Sequence, residues 1–275
     1  MKVSAVERTL TYAILVLFAV IALFPLVGIL TTAVSPPEQA SGGFSLPTEL
    51  HLSNFVHAWH QGHFGRYLLN SVIVAVCVVV VSSVLATLAG YAFGAMRFPL
   101  ATPLFYLLLL GLMVPEEAIV VPLFFDLRSV GLTDTYVALI LPQVAQSLSF
   151  GTFWMRAYFR STPRSLIESA RIDGASSWTT LWRVLVPMGR PALTTMMVLV
   201  FMWTWNEFLL ALVMVPTNAD LRTVPLGLAF FQGQHTSDFA LLAAGSVIVA
   251  APVVIAYVLL QRHFIAGMLS GAVKE

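Results

Sequence analysis

Charge is scarce in this chain. Only 10% of its 275 residues are Asp, Glu, Lys or Arg, while 59% are hydrophobic and the mean hydropathy is +0.89. A soluble domain carries about a quarter charged residues and about half apolar ones. The shortage excludes an ordinary soluble domain and points to an integral membrane protein. A net charge of +1 leaves no electrostatic footprint for nucleic acid. There is one cysteine, Cys77, inside an apolar run, so an internal disulfide is excluded and the redox compartment is not legible. Catalytic motifs are missing as well. Without G-x-x-x-x-G-K-[ST] the chain has no phosphate loop for ATP, and without G-x-S-x-G, H-E-x-x-H or a Cys/His cluster nothing supports a membrane enzyme or a metal centre. No period-2 alternation appears, so the apolar runs read as helices rather than barrel strands. Lys2 and Arg8 precede an apolar run too long for a signal peptide, with no small-residue cleavage site.

What is present is a series of apolar stretches. About 20 such residues cross a bilayer, and six stretches qualify: 9–37, 67–96, 98–125, 135–155, 191–215 and 239–261. The first helix should stop before Ser35-Pro36-Pro37. The third stretch is interrupted by Pro115-Glu116-Glu117 and Pro122, and the fourth and sixth contain Pro142 and Pro252. The expected fold is all-α, six transmembrane helices with both termini cytoplasmic. That orientation gathers Lys2, Arg8, Arg97, Arg156, Arg160, Arg164, Arg171, Arg183, Arg190, Arg262 and Lys274 inside and leaves only Arg66, Arg128 and Arg222 outside, a strong positive-inside asymmetry. Three parts are expected: 1–65 as a first helix and outer loop, 66–262 as the core, and 263–275 as a cytoplasmic tail.

One long polar interruption has a folded pattern, Arg156 to Arg190. Thr162 is placed to cap a helix beginning at Pro163, with Leu166, Ile167 and Ala170 on its apolar face. Asp173-Gly174 should stop it, because glycine tolerates the left-handed residue past a helix end. Ser176 or Ser177 can cap a second helix carrying Trp178, Leu181, Trp182 and Leu185 at i, i+3, i+4 and i+7, and Pro187 should break it. On spacing alone this is either a docking device for a soluble partner or a loop lying on anionic lipid headgroups.

Two further features carry polar chemistry. In the loop 35–66, Leu52, Phe55, Val56 and Trp59 repeat at helical spacing, which suggests a helix lying at the outer interface. Its other face bears His57, His60 and His63. Successive threes drift around a helix and no carboxylate or cysteine joins them, so the run reads as a solvated face rather than a metal site. Within the spans lie Glu116, Glu117 and Glu207, and intramembrane acids point to function by default. Trp205-Asn206-Glu207 can meet a sugar, with hydrogen bonds from the amide and carboxylate and stacking from the indole. The same Asn206 and Glu207 can instead bond to a neighbouring helix, and Glu116 and Glu117 can mark a helix break beside water.

Glu168-Ser169-Ala170-x-x-Asp173-Gly174-Ala175, followed by Val186-Pro187, resembles the EAA loop of permease subunits of binding-protein-dependent ABC importers. The usual middle alanine is Ser169 here and the usual leucine is Val186. Asn70-Ser71, Pro122-Leu123-Phe124, Gly131-Leu132-x-Asp134-Thr135, Trp205-Asn206-Glu207-Phe208-Leu209 and the tail Gly271-Ala272-Val273-Lys274 are similar to the maltose-type carbohydrate uptake permeases, and the single span before Asn70 resembles the second permease of such pairs. The resemblance implies a type I importer fold in the cytoplasmic membrane. It implies a homologous second permease, two ATPase subunits that use ATP and Mg, and an external solute-binding protein. No cofactor is implied for this chain, and its lipid contacts are those of any membrane subunit. Glu168, Ser169, Ala170, Asp173, Gly174, Ala175 and Pro187 would couple to the ATPase. A glycerol phosphate or polyol importer is the competing cargo, and a secondary transporter the competing class, although the spans offer no Lys or Arg and no clear repeat.

Overall fold

The computed structural model describes residues 4–40, 46–234 and 238–272. Lys2, Val273 and Lys274, named above, lie outside the described residues, as do 41–45 and 235–237. The described residues form thirteen α-helical segments with one π-turn and one 3-10 turn, and no strand. Two compact units are distinguished, one of Met1–Arg66 with Gly227–Pro252, the other of Tyr67–Leu226 with Val253–Glu275.

In the first unit, α1 (Ala5–Ala33) starts on a capping box in which Ser4 and Glu7 satisfy each other's backbone N–H groups. It ends before Ser35, as expected from Pro36-Pro37. Its apolar residues are exposed almost throughout, and a helix that is apolar all round needs lipid or another chain against it. The short α2 (Ser53–Gln61) follows. Its apolar stripe of Leu52, Val56 and Trp59 is exposed, and Asn54 and Ala58 are the buried positions. Asn54 Nδ2 donates to the Ala33 and Ser35 carbonyls at 3.0 and 2.9 Å, which closes groups that the end of α1 leaves open. His63 lies past the end of α2 with φ 50, so His57, His60 and His63 do not share one helical face. The unit also holds most of α12 (Val224–Gln234).

The second unit contains most of α3 (Phe64–Ala95), then α4 (Ala101–Met113), α5 (Glu116–Ser129) and α6 (Tyr136–Ser161). After these come α7 (Arg164–Ile172), α8 (Ser177–Thr180), a π-turn (Leu181–Leu185) and α9 (Val186–Met188). It continues with α10 (Arg190–Asn206), α11 (Leu209–Met214) and the end of α13 (Phe239–Ala272). Among the described residues three helices are long and apolar enough to span a membrane, Val6–Ala33, Phe64–Ala95 and Phe239–Leu259, and up to five if each of two bent pairs counts once. The stretch 98–125 is not one rod: α4 and α5 meet at 96° across Val114-Pro115. The stretch 191–215 breaks at Glu207-Phe208, between α10 and α11. Although long, α6 carries Gln143, Gln146, Ser147 and Arg156 and is not among the apolar spans.

At the start of α6, Thr135 caps the helix through Ala138 N–H and Asp134 ties down the segment after α11. Asp134 sits at φ 57, a conformation that Asp tolerates better than most residues. Its carboxylate accepts from Thr217 N–H (3.1 Å), Thr217 Oγ1 (2.6 Å) and Asn218 N–H (2.9 Å). Burial alone would raise this carboxyl, but the three donors outweigh it and hold it below its ordinary value of 3.8. A depressed carboxyl stabilises the fold above its unfolded pKa and loses that contribution as pH falls through the folded one. The tether is therefore intact at neutral pH and is released only in acid below that value. Asp134→Asn keeps the backbone conformation and one acceptor oxygen, and it should speed hydrogen exchange at the Thr217 and Asn218 amides at pH 7. Unchanged exchange would show that the carboxylate does not hold this segment. Asn70 Nδ2, donating to the Asp220 and Arg222 carbonyls at 2.7 and 2.9 Å, fastens the next turn, and Tyr136 Oη donates to Asn70 Oδ1.

Candidate functional site

About 39 Å of helix, at 1.5 Å per residue, separates that end of α6 from its other end, where the first candidate site begins. Thr162 does not cap α7. Its hydroxyl turns back to the Tyr158 carbonyl at 3.1 Å, closing α6, and Pro163 stands at the N-cap without a side-chain bond. The expected stop at Asp173-Gly174 is present. Gly174 has φ +81, its N–H reaches the Arg171 carbonyl, and Ala175 N–H reaches the Ala170 carbonyl at 2.9 Å, the paired bonds of a Schellman turn. Ser176 is the residue that caps the next helix, accepting from Thr179 N–H at 3.2 Å. Pro187 does not end that helix. The π-turn ahead of it, with Val186 N–H donating to the Leu181 carbonyl, lets the chain run on to Met188. A widened turn accommodates a residue that lacks N–H and crowds the preceding turn. The break comes at Gly189, where the helix axes turn by 79°.

This segment has two contrasting faces. Leu181 and Leu185 are fully buried with Tyr91, Met155, Phe159 and Met196, and Ile167 and Trp182 pack against that cluster. Tyr158 Oη donates to the Leu185 carbonyl at 2.8 Å and Trp154 Nε1 to the Ala192 carbonyl at 2.9 Å. Such bonds are worth about 1 kcal/mol each; the first fastens the segment to α6, and the second fastens the start of α10 to it. Ala170 is buried on the same side. Glu168, Ser169, Asp173, Gly174 and Pro187 are exposed, and Ala175 is half-buried. Ile172 is 87% and Trp178 63% exposed, so Trp178 departs from the expected buried stripe and joins the outward face. Exposed apolar residues ringed by charge mark interaction surfaces.

The second candidate site is a cavity of about 570 Å³ between the two helix breaks. Irregular backbone at membrane depth is tolerated only beside protein or a water-lined space. Glu116 enters it from the first turn of α5, where an acid suits the positive end of the helix dipole. Asn206 and Glu207 enter from the end of α10. The Glu116 and Glu207 carboxyls lie close to each other on the wall of this cavity. Glu207 Oε1 also accepts from Leu210 N–H at 2.8 Å, while Asn206 Nδ2 bonds its own helix at the Met202 carbonyl. The cavity therefore has a polar wall held largely by local bonds.

Of the residues singled out from the sequence, the cavity brings together Glu116, Asn206 and Glu207. Glu117 is exposed and outside it. Trp205 is 2% exposed, packed against Phe201 at 5.5 Å between ring centroids, and does not line it. The indole that does is Trp203, 52% exposed. Two positions along a helix is about 200°, a little over half a turn, so helical phase alone separates the two rings, and composition of the Trp-Asn-Glu block could not.

The family described as "Binding-protein-dependent transport system inner membrane component" matches residues 82–269. The probable ABC transporter permease protein YurM of Bacillus subtilis is 36% identical over 98% of this chain and 89% of that protein. The diacetylchitobiose uptake system permease protein NgcG of Streptomyces coelicolor is 35% identical over 95% of this chain and 87% of that protein. The trehalose transport system permease protein SugB of Mycobacterium tuberculosis is 33% identical over 92% and 93%. Among solved structures, a bacterial ABC transporter that imports the acidic polysaccharide alginate aligns with a TM-score of 0.80 at 24% identity, covering 96% of this chain and 99% of the other. At that identity the likeness is one of fold.

Proposed function

The chain belongs to the binding-protein-dependent transport system inner membrane component family, and from that premise we propose how its two sites work. It is a multi-pass permease subunit of a binding-protein-dependent ABC importer. Its cargo is a sugar or oligosaccharide, which is supported by relatives for diacetylchitobiose and trehalose and by a cavity of carboxyl, amide, hydroxyl and indole groups. The reading takes α1, α3, α4 with α5, α6, α10 with α11, and α13 as six spans of a type I permease in the cytoplasmic membrane, residues 66–262 forming its core. The excess of Lys and Arg puts both termini and α7 inside.

The observation that carries the coupling role is the two-faced 164–188 segment. It has an outward face bearing Glu168, Asp173, Ile172 and Trp178, and an inner face packed on α6 and bonded to it through Tyr158. In this reading the outward face, with Ser169, Gly174 and Ala175 at its turn, docks on a separate ATPase subunit. That subunit holds the ATP and Mg, and this chain binds no cofactor. Ala170 and Pro187 shape the segment. A second permease covers part of the apolar surface of α1, and an external solute-binding protein docks near the segment held by Asp134 and Asn70. When ATP closes two ATPase subunits, each docked segment moves as a rigid piece and draws α6 and α10 with it. The cavity between the helix breaks then alternates between the two sides, a rigid-body switch. Glu116, Asn206 and Glu207, with Trp203 in the place expected for Trp205, line the path.

Affinity purification of the tagged chain from detergent-solubilised native membranes, followed by mass spectrometry, tests the assembly. An ATPase, a second permease and a solute-binding protein should accompany it. Recovery of the chain alone would remove the coupling role and return a secondary transporter to the front.

A further inference from the structure

The polar wall of the cavity has one sign. Glu116 and Glu207 lie close together on it, and no Lys, Arg or His is among its described lining residues. A cleft with low-dielectric walls focuses the field of like charges and enriches ions of the opposite sign. Independently of the acids, the Ser147 and Thr204 side chains line the same cavity while more than nine-tenths buried. No hydrogen bond occupies either hydroxyl among the described residues. A hydroxyl that opens onto a cavity is available to a ligand hydroxyl. Trp203 adds an exposed aromatic face that suits the C–H face of a sugar ring.

We infer that this cavity is a charge filter on the translocation path, taking neutral polyhydroxylated solutes, favouring cationic ones such as amino sugars, and repelling solutes that carry a carboxylate or phosphate. The inference rests on the importer reading above and narrows its cargo: glycerol phosphate and uronate oligosaccharides are excluded, and neutral oligosaccharides and polyols are admitted. Neutral solutes interact with the acids as hydrogen-bond acceptors for their hydroxyls, charge-assisted bonds that are stronger than neutral ones. An anion would have to enter a space whose charged residues among the described lining are both acidic, with no described Lys, Arg or His lining it to answer the anion.

The test needs no knowledge of the natural solute. Cysteine is introduced at Gln146 or Asn206, both exposed and lining the cavity, on a Cys77→Ser background, in the complete transporter reconstituted in proteoliposomes. Rates of modification by a trimethylammonium-ethyl and by a sulfonatoethyl methanethiosulfonate are compared, each divided by its rate with a free small thiol. The cationic reagent should be favoured by about tenfold or more, and Glu116→Gln with Glu207→Gln should collapse that ratio to near unity. Because Glu207 also caps α11, Glu116→Gln alone is the second variant, and it should lower the ratio with that cap in place. A ratio near one with both acids present, a ratio that ignores their removal, or cysteines at both positions that react with neither reagent would overturn the filter. Those results leave the importer reading standing as long as the ATPase and binding protein co-purify. Loss of co-purification sinks that reading whatever the reagent ratio.

Discussion

Glu168→Lys should abolish solute uptake while the chain still inserts and keeps its helix content. Glu168 is exposed on α7, on the side away from the buried Ala170 and the half-buried Ile167, so the fold of this chain does not need it. If the outward face docks on an ATPase, the carboxylate is desolvated against a partner group in the complex. Reversing its sign there leaves an uncompensated charge at about 3–5 kcal/mol, a loss of docking affinity on the order of a hundredfold or more. Uptake into proteoliposomes and co-purification of the ATPase should fall together, with circular dichroism unchanged. Wild-type uptake by the lysine variant would remove Glu168 from the coupling surface.

Gly90→Leu should lower the thermal midpoint of the detergent-solubilised protein by roughly 2–12 °C, from an overpacking cost of about 1–3 kcal/mol. A Cβ at Gly90 would stand 2.6 Å from Met155 Cβ and 3.0 Å from Arg156 N, and one at Gly94 would stand 2.9 Å from Phe159 Cβ. The two glycines are four residues apart on one face of α3, and together they let α3 and α6 cross with backbones nearly touching, as small residues do in membrane bundles. Leucine must push α6 away. Met155 and Phe159 belong to the cluster that buries Leu181 and Leu185, so the displacement also loosens the platform under the coupling segment. The expected result is a double loss, of thermal stability and of ATP-driven uptake. An unchanged midpoint would mean that the helices do not cross at this face.

Where the determining chemistry is local, the residues alone were enough. A charge content of 10% and apolar runs of span length place the chain in a membrane because a bilayer penalises every unpaired backbone group and charge. Asp173-Gly174 is a helix stop wherever it occurs after a periodic stretch, since only glycine enters φ near +80 without strain. Ser176 caps for equally local reasons, through a bond three residues on. Thr162 was locally ambiguous, because a threonine between two helices can cap the second or close the first. In the structure it closes the first, through a bond to the carbonyl four residues back. The position of the break after Pro187 was likewise settled by the π-turn and by Tyr158 packed against Gly189, a contact between residues far apart in the chain.

The cavity shows the same division. Acids inside apolar stretches announced themselves as functional candidates one by one, since each is costly there. That Glu116 and Glu207 lie close together, that Trp203 rather than Trp205 reaches the space between the helix breaks, and that Ser147 and Thr204 open into it are facts about how α5, α6 and α10 pack. Hydropathy and capping act over a few residues and can be summed along a sequence. The meeting of side chains from remote helices depends on crossing angles and helical phase, which are set by close-packed contacts such as those at Gly90 and Gly94, and only the tertiary structure carries that information.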